Sequence, residues 1–345
     1  MHSADPCGHT AGSPFCLEFD DYRESNVLSG VRAGNNVAAN ASAGVAAVLF
    51  GASVVAVRIA VRDVPPLTLA VLRFGQGSLV LLAAMVAFRR DLLRVERRDV
   101  PYLALLGLFL FGIFPVTFNA GVQYIEASRA ALLLATMPLW TLLLGRLVAR
   151  ERLSARQIVG VLMSMAGVGI VMVNRGVAHG SAIGDVLLIT TAICGAIYAV
   201  LAKRVLARYA GITVTFYAMA FGTLFLVPLS TRPAPLSRET LAMVVFVGVF
   251  GGAIAFSLWT TALRQLSPTQ VAVYINLNPL VATLLAATVL HERLSGSFVF
   301  GFVTVMAGVF TVNRSPRPTR SASVIARLSS SGGEAPSANS ESRRA

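Results

Sequence analysis

The sequence predicts an all-α, polytopic membrane protein whose ten transmembrane helices form two inverted five-helix repeats. Three observations support this prediction. The 345 residues are 55% hydrophobic and 13% charged, with a mean hydropathy of +0.71, whereas soluble domains carry about 25% charged residues. Ten apolar runs are long enough to cross a hydrocarbon core about 30 Å thick. Landmark residues recur at a constant offset of 141 residues, which indicates an internal duplication.

The ten apolar runs divide into two sets of five. The first set comprises 41–60, 66–88, 101–122, 127–147 and 155–173. The second comprises 183–201, 210–229, 241–263, 268–290 and 297–312. We interpret every run as a helix, because hydrocarbon offers no partner to a backbone amide outside its own segment. The alternating polarity of β-barrel strands is missing from these runs.

The duplication is clearest at the tetrapeptide Glu-Arg-Leu-Ser, which begins at Glu151 and returns at Glu292. Each copy follows an apolar run with a central proline, Pro138 in the first repeat and Pro279 in the second. Five helices per copy is an odd number. The second copy must therefore enter the membrane upside down relative to the first, which gives an inverted-topology repeat.

The net charge of +13 follows a topological pattern. If the N-terminus is cytoplasmic, 21 of the 29 Lys and Arg residues are assigned to the tails and even-numbered loops, and seven to the opposite side of the membrane. The remaining residue, Arg73, lies inside helix 2. This asymmetry obeys the positive-inside rule, so both termini are predicted to be cytoplasmic in a multi-pass protein of the cell (inner) membrane. Nucleic acid is not needed to explain the basic charge.

The predicted repeats cover residues 38–176 and 181–314, flanked by cytoplasmic tails at 1–37 and 315–345. Both tails are polar, and we expect them to be disordered. Cys7 and Cys16 lie near two histidines in the first tail, but their spacing matches no zinc pattern. The sequence therefore predicts no metal site.

Candidate substrate-binding residues are polar side chains inside the apolar runs, where they are costly and face a cavity or another helix. Gln270, Tyr274 and Asn278 follow i, i+4, i+8 spacing in helix 9, so a regular helix places them on one face. They line a substrate cavity or bond neighbouring helices. We favour the cavity.

Five further residues complete the substrate-binding candidates. Asn119 and Tyr198 are polar groups in helices 3 and 6. Trp140 and Trp259, the two tryptophans of the chain, form either an aromatic wall for a substrate or packing and interfacial anchors. Arg73 binds an anionic group such as a carboxylate, extends towards the membrane surface or neutralises helix carbonyls.

The candidate gating residues lie in helices 4 and 9. Pro138 and Pro279 each remove a backbone hydrogen bond and kink a helix, which makes these two helices candidate hinges. Glu151 and Glu292, just beyond the same helices, are included as gating candidates.

Several classes of function lack their residues. The middle third of every run is free of Asp and Glu, so no buried proton relay is visible. The chain contains no Walker A sequence and no hydrolase signature. It is therefore predicted not to be an enzyme and to need no cofactor.

Residues from about 41 to 313 resemble the EamA family of the drug/metabolite transporter superfamily. The resemblance rests on the ten-run duplication and on the proline-containing helices that end in Glu-Arg-Leu-Ser. Phe50-Gly51-Ala52-Ser53 is similar to the start of the family's helix 1, with Phe in place of the usual Trp. Pro65-Pro66-Leu67-Thr68, leading to Leu72-Arg73-Phe74, is similar to its entry into helix 2. The resemblance implies a transporter of the cytoplasmic membrane, often an exporter of amino acids, metabolites or drugs.

The leading hypothesis is a secondary transporter that exports small organic metabolites, amino acids or related amphipathic compounds, by alternating access. Its partners would be a small-molecule substrate and the lipid bilayer. The alternatives are a membrane sensor that transports nothing and a membrane-embedded enzyme acting on lipid-linked substrates. The sequence does not determine the oligomeric state, and a homodimer is one of the alternatives.

Overall fold

The computed structural model describes residues 35–125, 127–148, 154–173, 181–231, 236–290 and 296–314. All regular secondary structure in these ranges is helical, as predicted. It forms ten helical segments. In chain order they are α1 (Asn35–Ala60), α2 (Pro66–Phe88), α3 (Val100–Gly107, Leu108–Ile113 and Phe114–Gly121), α4 (Ala127–Leu134 and Met137–Leu147), α5 (Ala155–Val173), α6 (Ala182–Leu206), α7 (Gly211–Leu226), α8 (Arg238–Gly248, Val249–Ile254 and Ala255–Gln265), α9 (Pro268–Ala272, Val273–Leu277 and Asn278–Leu290) and α10 (Gly296–Asn313).

Seven of these segments, α1, α2, α3, α6, α7, α8 and α10, are long and apolar enough to cross a membrane. The described part of α5 contains a shorter apolar stretch, Ala155–Ile170, and α4 and α9 are interrupted. That all ten segments cross the bilayer therefore stays a prediction.

The helix starts show where local sequence sets the boundaries. Pro66 occupies the first turn of α2, where a missing N–H costs nothing. The hydroxyl of Ser237 accepts from the N–H of Thr240 at 3.1 Å and caps α8. Helix α1 begins at Asn35, earlier than the predicted start at residue 41 and inside the range assigned to the first tail.

The middles of α3 and α8 are π-helical, at Leu108–Ile113 and Val249–Ile254. These two segments lie 141 residues apart, so the duplication extends to a local departure from α-helical geometry. A glycine precedes each of them. Gly107 lies against the backbone of α7, and Gly248 lies against Gln76 of α2, with no room for a Cβ atom at either glycine. Short π segments are common at functional sites.

Helices α5 and α10 pack antiparallel through glycines. A Cβ atom at Gly160 would lie 2.8 Å from the carbonyl oxygen of Gly308, and one at Gly167 would lie 2.8 Å from that of Gly301. Gly160 and Gly301 are equivalent positions of the two repeats, as are Gly167 and Gly308. A two-fold axis perpendicular to the helices therefore exchanges the two contacts, which is the geometry of an inverted repeat.

The remaining helices obey the same exchange. Helix α1 packs on α8 and α9, and its equivalent, α6, packs on α3 and α4. Helices α2 and α7, which are equivalent, pack on each other. Gly75 faces Thr223 and Gly77 faces Met219, so this pair is also antiparallel. The two repeats are therefore interleaved and do not stand side by side.

The linker between α2 and α3 meets the N-terminal end of α7. Tyr217 donates to the carbonyl of Leu93 at 2.8 Å. Tyr209, in the α6–α7 loop, donates to the carboxylate of Asp99 at 2.7 Å, and Arg208 lies 3.4 Å from the same carboxylate. Desolvation and the hydrogen bond to Asp99 raise the pKa of Tyr209.

The loop between α1 and α2 meets α8 and the α7–α8 loop, at the opposite end of α2. Thr68 donates to the carbonyl of Thr231 at 2.8 Å, and Thr240 donates to the carboxylate of Asp63. The α2–α3 and α6–α7 loops (loops 2 and 6) thus lie at one end of the helix bundle, and the α1–α2 and α7–α8 loops (loops 1 and 7) lie at the other. The topology predicted from charge requires these same pairings.

Candidate functional site

Six aromatic rings from five helices lie together within the main buried apolar cluster. We call this group the ring cluster. It consists of Phe50 of α1, Phe74 of α2, Phe111 of α3, Tyr198 of α6, and Phe256 and Trp259 of α8. Contacting ring centroids are 4.7 to 6.1 Å apart, within the range of favourable aromatic pairs. Each repeat contributes three rings, so the cluster belongs to both halves.

Two predicted site residues, Tyr198 and Trp259, are stacked with their ring centroids 5.8 Å apart. Both residues are buried. The hydroxyl of Tyr198 and the Nε1–H of Trp259 have no hydrogen-bond partner in the described part of the chain, and the hydroxyl of Ser257 also lacks one. A buried polar group without a partner costs about 1–3 kcal/mol. These groups therefore offer unused hydrogen-bonding capacity to a ligand.

The hydroxyl of Thr260 lies beside Tyr198 but is already engaged. It donates to the carbonyl of Phe256 at 2.7 Å and accepts from Thr215 at 2.9 Å. Because a hydroxyl can accept two hydrogen bonds, Thr260 retains one acceptor position beside the Tyr198 hydroxyl.

Arg73 lies at the edge of the ring cluster. Its guanidinium donates to the carbonyl of Gly251 at 2.9 Å, in the π-helical segment of α8. The guanidinium carbon lies 5.4 Å from the ring centroid of Phe74 and 5.9 Å from that of Phe256, close enough for cation–π attraction. Its Nε atom is buried without a partner among the described residues. Arg73 therefore joins α2 of one repeat to α8 of the other.

The polar stripe predicted in helix 9 does not lie on a regular α-helix. Val273–Leu277 is a 3₁₀-helix, which advances about 120° per residue where an α-helix advances about 100°. Tyr274 and Asn278 are consequently rotated by about 120° from each other, where the predicted regular helix has about 40°. The prediction that these three residues form one continuous polar stripe is therefore wrong.

The three residues of that stripe have separate environments. Gln270 accepts from the backbone N–H of Ser267 at 3.0 Å and completes the capping box that starts α9. Tyr274 donates to the side chain of Asn40 in α1 at 2.9 Å. The Oδ1 atom of Asn278 is buried without a partner in the described ranges. Their roles in substrate binding stay predictions, with Asn278 the most available of the three.

Trp140 and Asn119 are the two remaining predicted substrate-binding residues. The indole Nε1–H of Trp140 donates to the hydroxyl of Thr136 at 3.1 Å, within its own helix, and the ring packs against the main apolar cluster. Asn119 of α3 is partly buried.

The prolines lie at the start of helical pieces, and the prediction that they occupy helix middles is wrong. Pro138 is the second residue of Met137–Leu147, and Pro279 is the second residue of Asn278–Leu290. Proline is tolerated there because first-turn N–H groups have no intrahelical acceptor. The helix interruptions precede the prolines and are equivalent in the two repeats. Gating at these breaks stays a prediction, and Glu151 and Glu292 lie outside the described residues.

One polar residue of α9 is not among the candidates predicted from the sequence. Asn276 is fully buried and donates to the hydroxyl of Ser164 in α5 at 2.7 Å. Its presence in an apolar run was a usable signal, but it falls off the i, i+4 pattern. The phenylalanines of the ring cluster were also missed, because Phe in a membrane helix gives no sign of whether it faces lipid or protein.

These features define a class of protein. Interleaved antiparallel repeats jointly build one buried aromatic cluster, and such inverted repeats are typical of membrane transporters. The chain belongs to the EamA-like transporter family, whose sequence profile matches residues 39–173 and 182–314. The two matches coincide with the two repeats.

Named relatives agree with this family. An uncharacterised transporter of Archaeoglobus fulgidus is 28% identical over 271 residues, which span 76% of this chain and 92% of the relative. A protein of Streptantibioticus cattleyicolor, named a probable terminal-alkyne amino-acid exporter, is 30% identical over 72% of this chain and 83% of the relative. The uncharacterised inner membrane transporter YedA of Escherichia coli is 27% identical over 78% and 90%. These names indicate a transporter rather than an enzyme.

A crystal structure shares the fold. It aligns with a TM-score of 0.68 at 21% sequence identity, over 84% of this chain and 98% of the other.

Proposed function

We propose that this protein is a secondary transporter of the cytoplasmic membrane that exports small organic metabolites, amino acids or related amphipathic compounds, by alternating access. The observation that carries the proposal is the ring cluster, built equally by two antiparallel repeats and lined by buried groups without partners. Two copies of one unit in opposite orientations can exchange shapes, so that one side closes as the other opens.

Three further observations support parts of the proposal. The relative named an amino-acid exporter supports the substrate class and direction. The relative named an inner membrane transporter supports the location. The pairing of the α2–α3 and α6–α7 loops, which with the last turn of α6 include eight Lys and Arg residues, supports cytoplasmic termini, because basic loops stay on the cytoplasmic side.

Reconstituted flux tests the function. Purified full-length protein in liposomes is offered a panel of labelled amino acids and amphipathic metabolites. We expect saturable flux for at least one of them, above that of protein-free liposomes. Absence of saturable flux for every compound, in protein that remains monodisperse, would contradict the proposal. Direction is tested in cells loaded with the active compound, where expression should accelerate efflux.

Variants of helix α9 test the site. Asn278→Ala and Tyr274→Ala should lower flux without lowering the amount of protein in the membrane. Asn278 offers a buried unpartnered oxygen, and Tyr274 ties α9 to α1. Unchanged kinetics in both variants would assign these side chains to packing. Tyr124→Phe is a matched control, because this exposed tyrosine lies in the turn that follows α3.

A further inference from the structure

We infer that the site recognises its substrate through one carboxylate, and that the substrate is an organic monoanion with an apolar or aromatic body, for which an amino group is dispensable. This inference rests on the proposed function and names the substrate class of the same site.

The first argument is the unbalanced charge of Arg73. It lies in the eighth position of α2, within a membrane-length helix. Among the described residues no carboxylate pairs with it, and its hydrogen bond goes to the neutral carbonyl of Gly251. A charge in this environment is costly unless it is paired. Arginine also has the planar donor geometry that suits a carboxylate. A substrate carboxylate would supply the missing negative charge.

The second argument is the kind of unpartnered atom around the ring cluster. The Nε–H of Arg73 and the Nε1–H of Trp259 can only donate hydrogen bonds, and the hydroxyl of Tyr198 can donate as well. Each of these groups can be satisfied by an acceptor oxygen of a ligand. The cluster is therefore suited to an oxygen-rich anion.

The third argument concerns a substrate ammonium group. The carboxylates of the described chain lie in loops or near helix ends, at positions 63, 91, 96, 99, 185 and 239. The Oδ1 atom of Asn278 can accept a hydrogen bond from an ammonium but cannot neutralise its charge, and cation–π attraction to a desolvated ring, about 2 kcal/mol, does not neutralise it either. An amino group is thus tolerated and not required.

The repeat limits the number of charges that the site can take. The position equivalent to Arg73 in the second repeat is Val214, which is buried and apolar. Among the described residues, the ring cluster therefore has one guanidinium against it, and Lys203, the cation at the end of α6, already donates to the carbonyls of Leu263 and Leu266. Phe74 and Phe256 flank the guanidinium and offer apolar surface to the body of the substrate.

Three probes that differ in one group each test the inference in proteoliposomes. Phenylalanine carries both charged groups, phenyllactate lacks the ammonium, and phenylalaninamide lacks the carboxylate. Protein-free liposomes correct for passive leak. We expect phenyllactate to inhibit phenylalanine flux, or to be carried, within about threefold of phenylalanine itself. Phenylalaninamide should be at least about tenfold weaker, the effect of one lost charge-assisted hydrogen bond.

Variants separate recognition from a structural role. Arg73→Gln should abolish the difference between phenyllactate and phenylalaninamide, and Arg73→Lys should retain part of it. Trp259→Phe and Tyr198→Phe keep the rings, remove one donor each, and should weaken phenyllactate several-fold. Arg62→Gln, in the exposed α1–α2 loop, is the matched control and should leave the difference intact. An equal loss for all three probes in Arg73→Gln would make Arg73 a structural link between α2 and α8 and would overturn the inference.

Binding measured without transport distinguishes the two proposals. With Trp140→Phe, Trp259 is the single tryptophan of the chain, and its fluorescence should change on titration with phenyllactate and much less with phenylalaninamide. Such binding without any flux would contradict the transport function and uphold carboxylate recognition. Flux that treats the amide and the carboxylate alike would contradict carboxylate recognition and uphold transport.

Discussion

The glycines between α5 and α10 give the sharpest stability prediction. In Gly308→Ala, the new Cβ atom would lie 2.6 Å from both the carbonyl oxygen of Gly160 and the backbone nitrogen of Ser164. Both neighbours are backbone atoms and cannot rotate away. Overpacking of this kind costs about 1–3 kcal/mol, which opposes a gain of up to about 1 kcal/mol from replacing a helical glycine.

The matched control is Gly75→Ala in the middle of α2. Its Cβ atom would make an ordinary contact of 3.6 Å with a methyl group of Thr223, so only the gain in helix propensity remains. The free energy of unfolding should therefore be about 1–3 kcal/mol lower in Gly308→Ala than in Gly75→Ala. Gly167→Ala, at the equivalent position, should behave like Gly308→Ala, because its Cβ atom would lie 2.8 Å from the carbonyl of Gly301.

Denaturation by SDS in mixed micelles, followed by circular dichroism, measures these differences. If Gly308→Ala and Gly167→Ala were both as stable as Gly75→Ala, the tight antiparallel contact of α5 and α10 would be refuted. A large loss in only one of them would refute the symmetry of the contact.

Three further changes probe other parts of the structure. Ser164→Ala should lower the free energy of unfolding by about 1 kcal/mol in the same SDS titration, because it leaves the buried amide of Asn276 without its partner. Combining it with Asn276→Leu should recover much of this loss. Equal stability of the single and double variants would contradict the pairing. Since the pKa of Tyr209 is raised in the folded state, the protein should lose stability as pH rises above the ordinary tyrosine pKa of about 10. Tyr209→Phe should lose that pH dependence in thermal melts between about pH 8 and 11. The same pH dependence in the variant and the parent would contradict this role of Tyr209. Pro279→Ala should slow the interconversion of inward- and outward-open states if the break in α9 is a hinge, and labelling rates of engineered cysteines that match the parent on both faces would remove that role.

Much of the fold was predictable, because a bilayer constrains segment length so strongly. Each predicted run contains a helical segment, and the 141-residue offset relates both π segments. The errors are local. Helix α1 extends back through its polar start, where Asn40 accepts from Tyr274, and composition gives no sign of that distant partner. The 3₁₀ segment of α9 and the π segments lie in apolar stretches without a periodic pattern, so nothing in the sequence marks their change of pitch.

The candidate site was predictable only in part. Polarity inside a membrane helix identified Arg73 and Tyr198, and the scarcity of tryptophan identified Trp259. The structure brings all three to the ring cluster. The same criterion of polarity also selected Gln270, whose side chain caps the start of α9. Sequence shows that a buried polar group needs a partner, but the partner is set by packing between helices far apart in the chain. The neutral carbonyl that holds Arg73, for example, lies 178 positions away.

Cysteine accessibility tests the inverted arrangement most directly. In a background without the three native cysteines, single cysteines replace Glu151 and Glu292, with Arg94→Cys and Arg62→Cys as markers of the two faces. A membrane-impermeant maleimide is applied to whole cells. The inverted repeat predicts that Glu292→Cys reacts from outside together with Arg62→Cys, while Glu151→Cys and Arg94→Cys react only after the membrane is opened. Labelling of positions 151 and 292 from the same side would contradict the inverted repeat and the alternating-access cycle that depends on it.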